Sequence, residues 1–172
     1  AISRFDAPPA IDRGLAFLPA LAGLACPHWD RTARGAWFGL ALEHAPADLM
    51  QALLEGVALR TAEAIGAIHA LQPIRTLSVD GGMARNGYLL DFLAGLLPQS
   101  TARAAEVEST ALGLAHMALA ADGQPVPDMP MPVPVTPRSG ERARAGQRLA
   151  RFAQIREGLT RLSHEIEAPT DA

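Results

Sequence analysis

Two adjacent glycines between a strand-like run and a helix-like run are the feature that most constrains this chain. Residues 74–79 read as a short strand after Pro73, and residues 88–97 place their leucines on one helical face. Gly81 and Gly82 lie between these runs, where the backbone must turn sharply. Glycine can adopt a positive φ, and its missing Cβ lets a ligand approach the main chain. The pattern therefore predicts an α/β unit with a turn that a ligand can reach.

The residues of this turn support two interpretations. In the first, N–H groups at the start of the following helix attract phosphate, and the Asn86 amide meets an adenine or ribose edge. In the second, the glycine pair only makes a tight turn and Asn86 caps the helix behind it. A glycine pair alone favours the second interpretation, so the flanking sequence has to decide between them.

Further blocks accompany the turn in a fixed order. Residues 23–30 (GLACPHWD) precede residues 33–40 (ARGAWFGL), and residues 48–55 (DLMQALLE) follow them. Residues 108–113 (ESTALG) come after the turn. Blocks of these kinds in this order resemble the C-terminal domain of the FGGY carbohydrate kinases, and the glycerol kinases among them most closely. The resemblance runs from about residue 15 to residue 123.

Some positions depart from the family pattern. Leu53 stands where a smaller or β-branched residue is usual, and Gly87 stands where a second polar residue often follows the asparagine. Ala25, Cys26 and His28 also replace the residues that glycerol kinases usually carry in their first block. These substitutions indicate a diverged member of the family.

The resemblance implies a ribonuclease-H-like, actin-like ATPase fold and a nucleotide site at the glycine turn. ATP or ADP is expected to contact Gly81, Gly82 and the side chain of Asn86. Asp80, beside the turn, either reaches a water bound to Mg²⁺ or fixes the turn through its own carboxylate. The catalytic aspartate, the phosphate hairpin and the polyol pocket are expected in an N-terminal part of the kinase, so no catalytic residue is expected in this chain.

The implied reaction transfers the γ-phosphoryl group of ATP, with Mg²⁺, to a polyol hydroxyl, as in the conversion of glycerol to glycerol 3-phosphate. Two alternatives stay open. One is another FGGY sugar kinase of the xylulose kinase type, and the other is a non-catalytic, freestanding remnant of the domain. The 172 residues suit about one domain and begin at Ala1 rather than at methionine, so we expect an incomplete second domain that is inactive alone.

Composition excludes several other functions. All fifteen basic residues are arginine, so a P-loop lysine and a Schiff-base lysine are impossible. The net charge of −3, without a basic stripe that carries aromatic residues, argues against nucleic acid. The five histidines are scattered and none has ligand spacing, so no metal site is predicted. The apolar runs are too short to span a membrane. The lone cysteine, Cys26, cannot form an internal disulfide, which favours a reducing, cytoplasmic setting. Whether the protein forms a homo-oligomer is left open.

Four segments are expected along the chain. They are an irregular leader at residues 1–14, the kinase C-terminal domain core at 15–122, a Pro-rich extended connector at 123–140, and a helix at 141–167. We expect the last helix to pack on the same domain with its arginines in solvent.

Within the core, Pro46 is expected to open a long helix with Asp48 in its first turn. An edge strand is expected near residues 101–104, and an alanine-rich helix from Ser109 or Thr110 to about Ala121 should pack closely on the sheet. The apolar stripe predicted to face the core from the long helix consists of Met50, Leu53, Leu54, Val57, Ile65 and Ile68.

Overall fold

Helices and strands follow one another in the computed structural model, which describes residues 4–106 and 108–167. The predicted α/β class is confirmed. Short 3-10 helices cover Ala10–Arg13, Gly82–Arg85 and Arg142–Arg144. In chain order the other elements are β1 (Ala16–Leu18), β2 (Ala36–Phe38), α1 (Pro46–Leu71), β3 (Thr76–Val79), α2 (Gly87–Leu96), β4 (Ser100–Arg103), α3 (Ser109–Ala121), β5 (Val133–Val135) and α4 (Ala145–Glu167).

The strands form two small sheets. β1 pairs antiparallel with β2, with Ala16 opposite Phe38. In the second sheet, β4 lies between β3 and β5 and runs parallel to β3, because α2 carries the chain back across the sheet. The sequence predicted an edge strand here, and that prediction was wrong because β5 covers the other side of β4.

β5 comes from the Pro-rich segment, which was predicted to be an extended connector. Val133 lies opposite Arg103, and Val135 lies opposite Thr101. Pro134 between them cannot donate a backbone hydrogen bond, but a proline is tolerated in an edge strand. The segment is therefore more than a connector, since three of its residues complete the sheet.

α1 begins and ends as its residues predict. Pro46 is the first helical residue, and the Asp48 carboxylate accepts a hydrogen bond from the Ala45 N–H at 2.8 Å. This contact satisfies a backbone donor that the first turn would otherwise leave unpaired. The helix ends at Leu71, two residues before Pro73.

The buried face of α1 differs from the predicted stripe. Met50 is 40% exposed and Ile68 is 43% exposed, so the outer members of the stripe were placed wrongly. A Cβ at Gly56 would overlap the carbonyl oxygen of Phe17, so β1 can approach only because this residue is glycine. Close approach of β1 therefore selects a small residue at this position of α1. The buried residues of α1 are Gln51, Ala52, Leu54, Glu55, Gly56, Ala58, Leu59 and Ala62.

One hydrophobic core joins β1, α1, α2 and α4. Leu18, Leu59, Leu93 and Phe152 belong to it, and each is at most 3% exposed. The leader also contributes, because the 3-10 helix Ala10–Arg13 buries part of the segment that was expected to be irregular. Packing of α4 on this core follows from Phe152, which is fully buried.

α3 does not pack as expected. It has no buried residue, and its Leu114 and Met117 are 69% and 72% exposed. Alanine-rich composition permits close packing but does not supply a partner. Within residues 4–106 and 108–167, Leu112 and Leu119 are half-buried, whereas Leu114 and Met117 remain exposed.

We predict that Leu59→Ala lowers the free energy of unfolding by about 2–5 kcal/mol, because it empties a core position that is 1% exposed. Leu71→Ala, the same change at an 89% exposed position of the same helix, should change it by less than about 0.5 kcal/mol. Urea unfolding of both variants measures the difference. Equal losses would show that the assigned core is wrong.

Candidate functional site

The glycine turn follows directly from the end of β3. Gly81 adopts φ 81° and ψ 175°, and its carbonyl oxygen accepts a hydrogen bond from the Ala84 N–H at 3.0 Å. The chain then forms the 3-10 helix Gly82–Arg85 before α2 begins. The three predicted site residues, Gly81, Gly82 and Asn86, thus lie together in one turn.

Asn86 joins the 3-10 helix to α2. Its N–H donates to the Met83 carbonyl oxygen at 3.0 Å, and its Oδ1 accepts from the Leu89 N–H at 3.1 Å. This is the N-cap contact that the second interpretation of the sequence predicted. The cap fixes the position of the half-buried Asn86 side chain at the start of α2.

The two glycines have different structural requirements. Gly81 adopts a positive φ, a backbone conformation that L-amino acids with a side chain rarely adopt. Gly82 has no positive φ, and a Cβ built on it would meet nothing within 4 Å. The described fold therefore explains a glycine at position 81, whereas position 82 faces open space.

A crevice of about 330 Å³ lies next to this turn, at the carboxyl ends of the parallel strands β3 and β4. Asp80 borders it after β3, Ala105 borders it after β4, and Ser109 and Met129 close its sides. In open α/β sheets, ligands bind in the crevice outside the carboxyl ends of the strands. Gly81, Gly82 and Asn86 do not line this crevice themselves, and Asp80, the residue before Gly81, connects the turn to it.

Metal-ligating side chains do not gather at this crevice. Among residues 4–106 and 108–167, no group of three or more His, Cys, Asp and Glu residues could hold a metal ion. Two carboxylate residues, Asp80 and Glu106, border the crevice, and both are exposed.

No helix in the part of the chain that the structure describes is long and apolar enough to cross a membrane.

A buried polar cluster, which the sequence analysis missed, anchors the leader. The Glu55 carboxyl group accepts hydrogen bonds from the N–H groups of Ala10 at 2.8 Å and Ile11 at 2.9 Å, and from the Tyr88 hydroxyl at 2.5 Å. Gln51 Nε2 donates to the Tyr88 hydroxyl oxygen at 2.8 Å. Burial raises the pKa of Glu55 to about 7, although these hydrogen bonds oppose the shift. The spacing of Gln51 and Glu55 on one helical face was the available signal.

A second buried cluster corrects the prediction that the arginines of α4 lie in solvent. Arg148 is 2% exposed, and its guanidinium donates to the Asp12 carboxylate at 2.9 and 2.6 Å and to the Glu141 carboxylate. It also lies 5.3 Å from the ring centroid of Phe92. The hydrogen bond from Arg148 lowers the pKa of Asp12. A buried charge requires such partners, which come from distant parts of the sequence.

Comparison with known proteins identifies a family. The model of the FGGY family of carbohydrate kinases, C-terminal domain, matches residues 4–121. A glycerol kinase of Leptospira biflexa is 41% identical over 106 residues, which cover 60% of this chain and 21% of that protein. The chain therefore matches about a fifth of the length of such relatives.

Solved structures show a similar fold. A xylulose kinase from Lactobacillus acidophilus superposes with a TM-score of 0.72 at 22% identity, over 94% of this chain and 34% of that one. Plasmodium falciparum glycerol kinase with ADP gives a TM-score of 0.63 at 20% identity, over 85% of this chain and 32% of that one. These likenesses confirm the predicted fold, which is that of sugar kinases of the actin-like ATPase type, and they extend over only part of each kinase.

We predict that the Glu55 carboxyl group makes stability depend on pH. The unfolded chain releases this proton near pH 4.5 and the folded chain near pH 7, so the folded state binds more protons in between. The free energy of unfolding should therefore fall by about 3 kcal/mol as the pH rises through this window. Glu55→Gln should remove this pH-dependent part of the free energy of unfolding, whatever pH-independent change in stability the substitution also causes.

Urea unfolding across this pH range provides the measurement. Glu165→Gln removes the same charge from an exposed position of α4 and is the matched control, which should retain the wild-type pH dependence. Parallel curves for wild type and Glu55→Gln would contradict the prediction.

Proposed function

Since the chain belongs to the FGGY family of carbohydrate kinases, we propose that it forms the ATP-binding C-terminal part of a glycerol-kinase-like enzyme. The observation that carries this proposal is the open space over Gly82, in a turn that begins next to Asp80, which borders the crevice at the carboxyl ends of β3 and β4. Nothing in the described fold occupies that space, and the family implies a nucleotide there.

The residues of the turn act by positioning the nucleotide. Gly82 lets the nucleotide approach the main chain, and the Asn86 amide, held in place by its cap contact, hydrogen-bonds to it. Gly81 contributes the positive φ with which the chain turns from β3 into the 3-10 helix. A turn that is rigid before the ligand arrives loses little entropy on binding.

Phosphoryl transfer depends mostly on positioning and electrostatic stabilisation, with Mg²⁺ neutralising the phosphates. Mg²⁺ keeps several waters and binds through one or two carboxylates plus the phosphates, so a complete protein cage is not required. Asp80 is the exposed carboxylate at the end of β3 that suits contact with a Mg²⁺-bound water. The catalytic base and the phosphate hairpin are assigned to the rest of the kinase.

Glycerol is the proposed acceptor because curated glycerol kinases share about two fifths of the aligned residues. A xylulose-type sugar is the second candidate, since the fold also matches a xylulose kinase. Relative kcat/KM for glycerol and xylulose, measured on a kinase whose C-terminal part is this chain, separates them. A cytoplasmic setting stays part of this proposal, supported by the single cysteine.

We predict that the 172-residue chain alone has no kinase activity, because the catalytic carboxylate and phosphate hairpin are assigned outside it. The measurement is glycerol-dependent production of ADP by the purified chain. Activity that copurifies with the chain through successive columns would contradict the assignment.

We predict that Gly82→Val raises the KM for ATP about tenfold or more in a kinase whose C-terminal part is this chain. The new side chain would occupy the space of the nucleotide, and tenfold corresponds to about 1.4 kcal/mol of binding free energy. The KM for the polyol and the melting temperature should change little, because a Cβ at position 82 meets nothing within 4 Å.

Gly66→Val is the matched control for this experiment. It introduces the same side chain into open space on α1, far along the chain from the turn, and should leave the KM for ATP unchanged. Asn86→Asp should keep the N-cap, since aspartate caps equally well, while removing the amide donor. An unaltered KM for ATP in a folded Gly82→Val protein would remove the basis for the site.

A further inference from the structure

A second cavity lies between the first turns of α4 and the leader. Its volume is about 160 Å³, and it is lined by Asp12, Arg144, Gln147, Arg148 and Arg151. Arg144 and Arg148 are four positions apart, as are Gln147 and Arg151, so these residues share one helical face. None of the residues that line the crevice beside the glycine turn belongs to this cavity.

The floor of this cavity is the ion pair of Arg148 and Asp12, whose groups are already hydrogen-bonded within the protein. Arg148 donates through Nε and Nη2 to the two oxygens of Asp12, and through Nη1 to Glu141. Asp12 Oδ2 also accepts from Arg144 at 3.3 Å. These contacts fix the floor, because Arg148 is 2% exposed.

The walls of the cavity have donors in surplus. Arg151 donates through Nη1 to the Ile11 carbonyl oxygen at 2.7 Å, while its Nε and Nη2 find no acceptor among residues 4–106 and 108–167. The side chain of Arg144 is 62% exposed, and its contact with Asp12 is long. Gln147 is exposed and makes no hydrogen bond through its side chain within the described residues.

Charge in and around the cavity is positive overall. Three guanidinium groups, those of Arg144, Arg148 and Arg151, face two carboxylates, those of Asp12 and Glu141. One positive charge is therefore uncompensated by the side chains that line or pair with the cavity. The first turn of α4 adds the positive end of its helix dipole.

We propose that this cavity binds a phosphate group, with Arg144, Gln147 and Arg151 as donors and the Arg148–Asp12 pair as its rigid floor. Guanidinium forks match the oxygens of phosphate in geometry and charge. Drug-sized ligands need about 300 Å³ or more, so the volume suits inorganic phosphate or the end of a phosphate monoester rather than a nucleotide. The site is independent of the nucleotide turn, so the proposed function can fail without affecting it.

Titration calorimetry of the 172-residue chain with inorganic phosphate, at constant ionic strength set by chloride, tests the proposal. We expect one saturable site. Gln147→Glu should weaken binding by about tenfold or more, because it places a carboxylate where the phosphate would lie. This substitution leaves the Arg148–Asp12 pair intact, and circular dichroism checks that the variant is folded.

Arg161→Gln is the matched control, since it removes a charge from an exposed position of the same helix outside the cavity. It should leave phosphate affinity within about twofold. Methyl phosphate in a parallel titration separates the two sources of the group, because tighter binding of the ester identifies a monoester and tighter binding of phosphate identifies the free ion. Absence of saturable binding by wild type, unchanged binding by folded Gln147→Glu, or an equal loss in Arg161→Gln would overturn the proposal.

Discussion

The arrangement of this chain depends on the hydrogen bonds that the carboxyl group of Glu55 accepts. It lies on α1, and it accepts hydrogen bonds from two backbone N–H groups of the leader and from the Tyr88 hydroxyl of α2. A buried carboxyl group is costly unless such partners surround it, so the leader, α1 and α2 are fixed relative to one another. Tyr88 follows the cap residue Asn86 by two positions, so the same contact also sets where the glycine turn lies.

Local rules predicted the parts of the fold that depend on neighbouring residues. Pro46 and Asp48 start α1, Gly81 supplies the turn, and Asn86 caps α2, because each effect acts within four residues. Contacts between distant residues were not accessible to such rules. The Arg148–Asp12 pair spans 136 positions, so periodicity in α4 could only suggest a solvated face. Gly56 is buried because β1 needs room, which a hydrophobic pattern does not encode.

The candidate site shows the same division. The sequence placed Gly81, Gly82 and Asn86 in one turn, and the structure shows that each residue has a different structural role there. Backbone conformation accounts for Gly81, helix capping accounts for the Asn86 oxygen, and neither accounts for Gly82. The acceptor could not be predicted from these residues, because the chain matches only about a fifth of the length of its glycerol kinase relatives. These residues therefore support only the proposed nucleotide contact, and the proposed acceptor rests on the comparison with relatives.

The exposure of α3 has a consequence for how this chain unfolds. A helix whose side chains are at most half-buried gains little from the core, so opening it costs little more than its own backbone hydrogen bonds. Its amides should exchange with deuterium long before those of α1 or α2. Ser109, the first residue of α3, also borders the crevice beside the glycine turn. A molecule that fills the crevice would stabilise the closed form of α3, so the exchange rate of this one helix reports occupancy of the site without any measurement of catalysis.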